Sequence, residues 1–215
     1  MLREIIYNEW FTVSIVLGLL SIALSKQLFP VRFNDFVEVL GNSKYLKIYS
    51  RDQKFIDGFD SLLFFNLIIS LSIFGFLSYS TLVEPLQFDI VLFSKILFGV
   101  AALVLIKVLF ERLIGSLFDI DKLIDQYLFQ KTSYLNFSGF ILLPINALLL
   151  YAVTPSKWIL YISIGLILLV NCLGLITTFK NHQKLILNNL FYFILYLCAL
   201  EIGPYLILYK IITNH

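Results

Sequence analysis

The residues best suited to chemistry in this sequence are Glu201 and Pro204, which lie three positions apart in the apolar stretch 185–212. An ionised side chain at the centre of a bilayer costs about 2.5–3.5 kcal/mol on insertion scales, so a carboxylate there needs a partner or a proton. Pro204 has no N–H to donate to the carbonyl of Leu200, which leaves an acceptor beside the carboxylate. Tyr205 falls on the same helical face as Glu201. The spacing predicts a polar site inside a membrane span.

Three roles remain open for Glu201: a packing role with its carboxyl protonated or bonded to a tyrosine, a substrate or proton role, and docking of a partner. Lys95 is expected at a similar depth, within roughly 5 Å along the membrane normal. This match predicts a contact between Glu201 and Lys95 that ties the third span to the sixth. Asn188 and Tyr192, one turn apart, either line a cytoplasm-facing cleft or pack against neighbouring helices.

The composition is that of an integral membrane protein. Of the 215 residues, 60% are hydrophobic and 14% are charged, and the mean hydropathy is +0.90. Soluble domains carry about 25% charged residues, so these charges are too few to cover a water-exposed surface. Continuous apolar runs of about 20 residues recur, which is the length a helix needs to cross a bilayer. The sequence predicts an all-α polytopic membrane protein with one domain, 1–215.

Six spans are predicted, and together they form a six-transmembrane-helix bundle. The fourth is the weakest because Pro144 and Asn146 interrupt it, and a proline at that depth requires neighbouring helices to satisfy the carbonyl it frees. A re-entrant hairpin is the alternative for this segment. The predicted spans cover residues 10–28, 61–80, 90–110, 135–153, 158–179 and 185–212.

Polar side chains inside the second and third spans are expected to join helices. Asn66, Ser70 and Ser72 are candidates for interhelical hydrogen bonds in the second span. Lys107 and Glu111 lie four residues apart near the end of the third span, so they share a face and can pair. The preferred interpretation of these two terminal charges is that both reach outward to the lipid headgroups.

The first of two predicted amphipathic helices precedes the second span. Its apolar residues recur at positions i, i+3, i+4 and i+7, which places them on one helical face. Such a helix is expected to lie in the membrane interface, on the cytoplasmic side, with this face toward the acyl chains. The apolar residues are Phe33, Phe36, Val37 and Leu40.

The second interfacial helix is predicted over residues 117–131, where most acidic residues lie off the apolar stripe. Asp119, Asp121 and Asp125 offer oxygen ligands of the kind that magnesium and calcium prefer. No glycine-bearing calcium loop accompanies them. A solvated helix face is therefore the expectation, and no metal site is predicted.

A basic helical face follows the first amphipathic helix. Its four side chains could bind anionic lipid or an acidic partner, at about 1 kcal/mol per basic residue near a charged surface. An ordinary cytoplasmic loop is the alternative and the preferred interpretation. The four residues are Lys44, Lys47, Arg51 and Lys54.

Lysine and arginine are unequally distributed between the two sides of the predicted bundle. Six spans place both termini on one side, which carries four of these residues, whereas the opposite side carries twelve. Cytoplasmic loops are enriched in lysine and arginine. The chain is therefore predicted to be a multi-pass protein of a bacterial inner membrane with both termini in the periplasm.

Three short motifs resemble a known family. The last span contains LYLCALEIGPYLILYK, and Arg112–Gly115 and Leu143–Pro144 lie in the middle of the chain. These motifs resemble domain-of-unknown-function family 4271, a family of Bacteroidota inner-membrane proteins. The resemblance covers most of the chain and implies a Gram-negative inner membrane. It implies no activity.

No motif of a soluble enzyme is present: there is no phosphate-binding glycine loop, no nucleophile elbow and no pair of histidines on one helical face. A non-catalytic subunit of a cell-envelope complex, for secretion or surface-component assembly, is the first hypothesis. Its 16% aromatic residues could supply partner-facing surface. A small transporter or proton-coupled protein that uses Glu201 is the second. A membrane-embedded enzyme on a lipid-linked substrate is the third, and it would have to use polar groups such as Glu111 and Arg112.

The expected partners are membrane lipid and other membrane or envelope proteins, with no nucleic acid and no cofactor. Cys172 and Cys198 both fall in predicted spans. Two thiols in such positions indicate neither a disulfide framework nor a metal site.

Overall fold

Helices account for the regular structure of the described chain. The computed structural model describes residues 9–42, 44–50, 57–83, 89–117, 121–153 and 156–181, and no strand occurs in these ranges. The helices are α1 (Glu9–Leu28), α2 (Pro30–Val37), α3 (Lys44–Tyr49), α4 (Gly58–Leu82), α5 (Ile90–Leu117), α6 (Asp121–Ala147) and α7 (Lys157–Asn181). A π-helical turn, Leu148–Ala152, extends α6.

Five helical segments within the described ranges are long and apolar enough to cross a membrane. This confirms the prediction of an all-helical, membrane-type chain. Four of the five lie close to predicted spans, and the predicted sixth span, 185–212, lies outside the described residues. The five segments are Glu9–Leu28, Gly58–Leu82, Ile90–Leu117, Ile124–Ala152 and Lys157–Thr178.

The fourth predicted span and the second predicted amphipathic helix are one continuous element. α6 begins at Asp121 and continues through Pro144 into the π-helical turn, so the re-entrant alternative is wrong. Ile124, Tyr127 and Leu128 of the apolar stripe are buried against protein. The stripe therefore extends the packed face of a long membrane helix and does not form a separate interfacial one.

The first amphipathic segment also packs inward. Phe33 and Phe36 are buried in α2, and the ring of Phe36 lies 5.7–5.8 Å from the rings of Tyr45, Phe59 and Phe137. Edge-on ring contacts at this distance add to the burial of apolar area. The structure does not confirm the predicted interfacial position, because half of the stripe belongs to the core of the bundle.

α4 is the central helix and contacts α1, α5 and α6. Small residues allow the closest approaches, as is common between membrane helices. A Cβ atom added to Gly139 would lie 2.7 Å from Cα of Leu67, and one added to Gly174 would lie 2.6 Å from the ring of Tyr134. The two glycines thus set the spacing of α6 from α4 and from α7.

Candidate functional site

All five residues that the sequence singled out in the last span lie outside the described ranges. Lys95 lies on an exposed face of α5, and Asn146 is fully buried in α6. The predicted contact between Glu201 and Lys95 therefore stays a prediction. The residues outside the described ranges are Glu201, Pro204, Tyr205, Asn188, Tyr192, Arg51 and Lys54.

Asn146 joins α6 to α4 in the middle of the bundle. Its Nδ2 donates a 2.8 Å hydrogen bond to the backbone carbonyl of Ser70. Asn66 lies one turn before Ser70 on α4, and all three side chains are fully buried. Asn146 follows Pro144 by two residues, and the helix widens into the π-helical turn directly afterwards. We call Asn66, Ser70 and Asn146 the amide cluster.

The amide cluster has unused hydrogen-bonding capacity. The Asn66 Nδ2 and Oδ1, the Ser70 Oγ and the Asn146 Oδ1 are buried without a hydrogen-bond partner in the described structure. A buried polar atom left in this state costs roughly 1–3 kcal/mol. Ser72, the other predicted hydrogen-bonder, instead donates to the carbonyl of Ile68 in its own helix.

A second polar region lies where α2 meets the start of α4. Arg32 forms ion pairs with Asp57 and Asp60, the latter at 2.8 Å between Nη2 and Oδ2. Its guanidinium carbon also lies 4.9 Å from the ring centre of Tyr49 and 4.8 Å from that of Phe59. Stacking of this kind suits the planar guanidinium. Arg32 thus fixes α2 and α3 against α4.

The environment around Arg32 favours its charged form. Burial alone would lower the pKa of Arg32, but the charge of Asp60 and the hydrogen bond to Asp57 outweigh it and raise the pKa. Burial raises the pKa of the Tyr45 phenol, and the negative charge of Asp60 raises it further. The cluster therefore contains a permanent cation and a neutral phenol beside two carboxylates.

The predicted basic face is only partly described. Lys44 pairs with Asp35 at 3.0 Å between Nζ and Oδ1, and this hydrogen bond raises the pKa of Lys44. Lys47 lies in α3. The structure therefore brings one residue of the face together with an acidic partner from α2.

Glu111 and Lys131 form an ion pair between α5 and α6. The side chain of Glu111 is fully buried, and that of Lys131 is 14% exposed. The expectation that Glu111 reaches outward to the headgroups is therefore wrong. The helical hairpin that brings the end of α5 beside the start of α6 supplies a cation at the same depth. A comparison of residue depth between the end of α5 and the start of α6 could have found this pair.

A cavity of about 130 Å³ opens between α4, α5 and α6. Asp60, Arg112 and Asp125 line it together with the hydroxyl side chains of Thr132 and Ser133. The Nε of Arg112 lies 3.6 Å from the Oδ1 of Asp125, and both side chains are more than 40% exposed. The cavity therefore combines both signs of charge with an opening at the protein surface.

No metal centre is formed by the part of the chain that the structure describes, since no three histidine, cysteine or acidic side chains converge there. Asp125 faces Arg112. The other two aspartates considered as cation ligands are Asp119 and Asp121. Asp119 lies outside the described ranges, and Asp121 is the first residue of α6.

Comparison with known proteins shows the family of this chain. A family model described as "Domain of unknown function (DUF4271)" matches residues 11–212. No curated protein and no solved structure matches the chain. The resemblance read from the short motifs is confirmed by a match over nearly the whole sequence. The chain belongs to the DUF4271 family.

Proposed function

We propose that this protein is a non-catalytic subunit of a cell-envelope complex in the bacterial inner membrane, acting in secretion or surface-component assembly. The observation that supports this proposal is a set of ion pairs between elements at one end of the bundle. Arg32 joins α2 to the start of α4, and Lys131 joins α6 to Glu111 of α5. The charged side chains there hold helices in place.

The physical argument concerns rigidity more than stability. A buried ion pair gains little net stability, because desolvation offsets the attraction between the charges. Breaking one is costly, however, so each pair restricts the helices to one arrangement. A fixed arrangement of α2, α4, α5 and α6 gives a preorganised surface, which lowers the cost of binding another protein.

The test is affinity purification of the full chain in its native lipid. We expect one or a few envelope proteins to co-purify in fixed stoichiometry. Arg32→Gln should reduce the bound partner, whereas Lys157→Gln, at the exposed start of α7, should leave it unchanged. A wild-type chain that purifies without a stable neighbour would contradict the proposal.

A proton-coupled or transport function is the second candidate, and the amide cluster favours it. Polar groups inside a membrane span often mark a path for an ion or substrate. Buried groups without protein partners are also typical sites of ordered water. Asn66 and Asn146 supply such groups in the interior of the bundle.

This second candidate predicts an activity in reconstituted vesicles. Asn146→Leu should lower proton or solute flux at least tenfold, while Ser72→Ala, whose hydroxyl bonds only its own helix, should not. Glu201→Gln should abolish the flux and leave expression and thermal stability intact. Equal flux in wild-type and empty vesicles would exclude this function.

A further inference from the structure

The charged residues of the cavity between α4, α5 and α6 lie near the ends of these helices. Asp60 is the third residue of α4, Asp125 the fifth of α6, and Arg112 lies five residues before the end of α5. At 1.5 Å per residue, these positions are roughly 3–8 Å from the helix ends. A ligand in this cavity would therefore sit in the interfacial layer of the membrane.

The surface beside the cavity is apolar. Leu109 and Leu113 of α5 are 52% and 55% exposed, and they lie one turn before and one residue after Arg112. Side chains of this kind suit contact with acyl chains. A molecule that enters between Arg112 and Asp125 thus meets charge inside the cavity and hydrocarbon outside it, which is the arrangement of a phospholipid.

The charges inside the cavity match a headgroup that carries both signs. A guanidinium such as that of Arg112 binds a phosphate through two parallel N–H donors. Asp60 and Asp125 offer carboxylate oxygens to an ammonium group, and Thr132 adds a hydroxyl to the lining. We propose that this cavity binds the headgroup of a zwitterionic aminophospholipid, with its phosphate on Arg112 and its ammonium at the two aspartates.

Charge and hydrogen bonding select this headgroup over others. A primary ammonium donates three hydrogen bonds, which the carboxylates of Asp60 and Asp125 can accept. A trimethylammonium group is larger and has no N–H to donate. Arg32 pairs with Asp57 and Asp60, and Arg112 lies 3.6 Å from Asp125, so these five side chains carry one net negative charge. A headgroup with phosphate alone would add a second uncompensated negative charge, whereas a zwitterionic headgroup adds none.

The test measures which lipid stays bound to the full-length protein. The chain is reconstituted with equal amounts of phosphatidylethanolamine, phosphatidylcholine and phosphatidylglycerol that share the same acyl chains. It is then washed in detergent and analysed by native mass spectrometry. Because a charge-assisted hydrogen bond contributes more than a neutral one, we expect about tenfold more phosphatidylethanolamine than either competitor.

Two variants locate the site. Arg112→Gln and Asp125→Asn should each reduce the retained phosphatidylethanolamine to the level of phosphatidylcholine. Asp35→Asn removes a carboxylate that pairs with Lys44 away from the cavity, so it should retain the wild-type amount. The comparison of the three lipids uses only the wild-type protein, so its outcome does not depend on whether a variant folds. Equal retention of the three lipids, a preference for phosphatidylglycerol, or unchanged binding by both cavity variants would overturn the proposal.

Discussion

At the scale of single residues, the pairing of Glu111 with Lys131 shows what local sequence spacing can and cannot predict. The sequence offered Lys107, four residues away on the same helix, as a partner for Glu111. The structure brings Lys131 from the next helix to a carboxylate that has no exposure to solvent. Interactions within one helix follow from spacing alone, whereas this pair depends on how α5 and α6 are aligned.

The buried pair leads to a prediction about stability. Lys131→Met should destabilise the fold by about 3–5 kcal/mol, because it leaves the Glu111 carboxylate buried without its cation. The double variant Glu111→Gln/Lys131→Met should recover most of this loss, since no uncompensated charge remains. The measurement is the free energy of unfolding of both single variants and the double variant in detergent. Lys157→Met, an exposed lysine on α7, is the control, and strictly additive effects would contradict the prediction.

Tyr45 predicts a dependence of stability on pH. Burial raises its pKa in the folded protein, while an unfolded tyrosine ionises near pH 10. The neutral phenol of Tyr45 therefore stabilises the fold fully below pH about 10. This stabilisation is lost as the pH rises toward the pKa of Tyr45 in the folded protein. The stability of the wild type relative to Tyr45→Phe should fall by up to about 1.4 kcal/mol per pH unit above that point.

Unfolding temperatures of the wild type and Tyr45→Phe between pH 8 and pH 11 check this prediction. Tyr79→Phe, at an exposed position on α4, is the control for loss of a phenol hydroxyl. If the difference in unfolding temperature between the wild type and Tyr45→Phe stays constant from pH 8 to pH 11, the prediction of a buried, neutral phenol is contradicted.

At the scale of helices, the close contact at Gly139 leads to another prediction. A methyl group there would collide with the backbone of Leu67, so Gly139→Ala should push α6 away from α4 and destabilise the protein by about 1–3 kcal/mol. Gly165 on α7 has nothing within 4 Å of an added Cβ. Gly165→Ala should be neutral or stabilising by up to about 1 kcal/mol, because alanine favours helix. The measurement is the free energy of unfolding of Gly139→Ala and of Gly165→Ala. Equal changes in the two variants would argue against the close contact between Gly139 and Leu67.

The membrane helices themselves were largely predictable from the sequence. Long apolar runs determined α1, α4, α5 and α7, because helical membrane spans require only length and hydrophobicity. The limits of α6 were not predictable in this way. Its first three turns contain charged residues that resemble an interfacial helix, and their burial depends on contacts with other elements.

The candidate sites were harder to predict because they combine distant residues. The amide cluster is partly predictable, since Asn66, Ser70 and Asn146 are each polar residues within a predicted span. Their meeting depends on the alignment of α4 with α6. Arg32 lies off the apolar stripe of the first predicted amphipathic helix, and its pairing with Asp60 across 28 positions has no local signal.

Lys95 offers a test of how the last predicted span packs on α5. It lines a surface groove of about 500 Å³ with Ser94, Phe98 and Gly99. If Glu201 occupies this groove, Lys95→Glu and Glu201→Lys should each lower the yield of folded protein, and the charge-swapped double variant should restore it. Lys157→Glu combined with Glu201→Lys is the matched control. A double swap that restores no more than this control would argue against the contact.

At the scale of the whole molecule, the distribution of charge predicts the orientation in the membrane. The twelve lysines and arginines on one side include Arg32, Lys44, Arg112 and Lys131, all of which form ion pairs at the charged end of the bundle. Some of the residues that form ion pairs between helices are thus also among the lysines and arginines that determine the orientation of insertion into the membrane. We expect this end, with its candidate lipid cavity, to face the cytoplasm.

Alkaline phosphatase fusions after residues 88, 120, 155, 181 and 215 test this orientation, because the enzyme is active only outside the cytoplasm. Activity should be high at 88, low at 120, high at 155 and low at 181 if the described helices alternate in direction. The fusion at His215 should again be active, because the apolar stretch 185–212 is long enough to return the chain to the periplasm. Low activity at both 181 and 215 would mean that this stretch does not cross. The reverse pattern at all five positions would place the paired charges, and the cavity among them, on the periplasmic side.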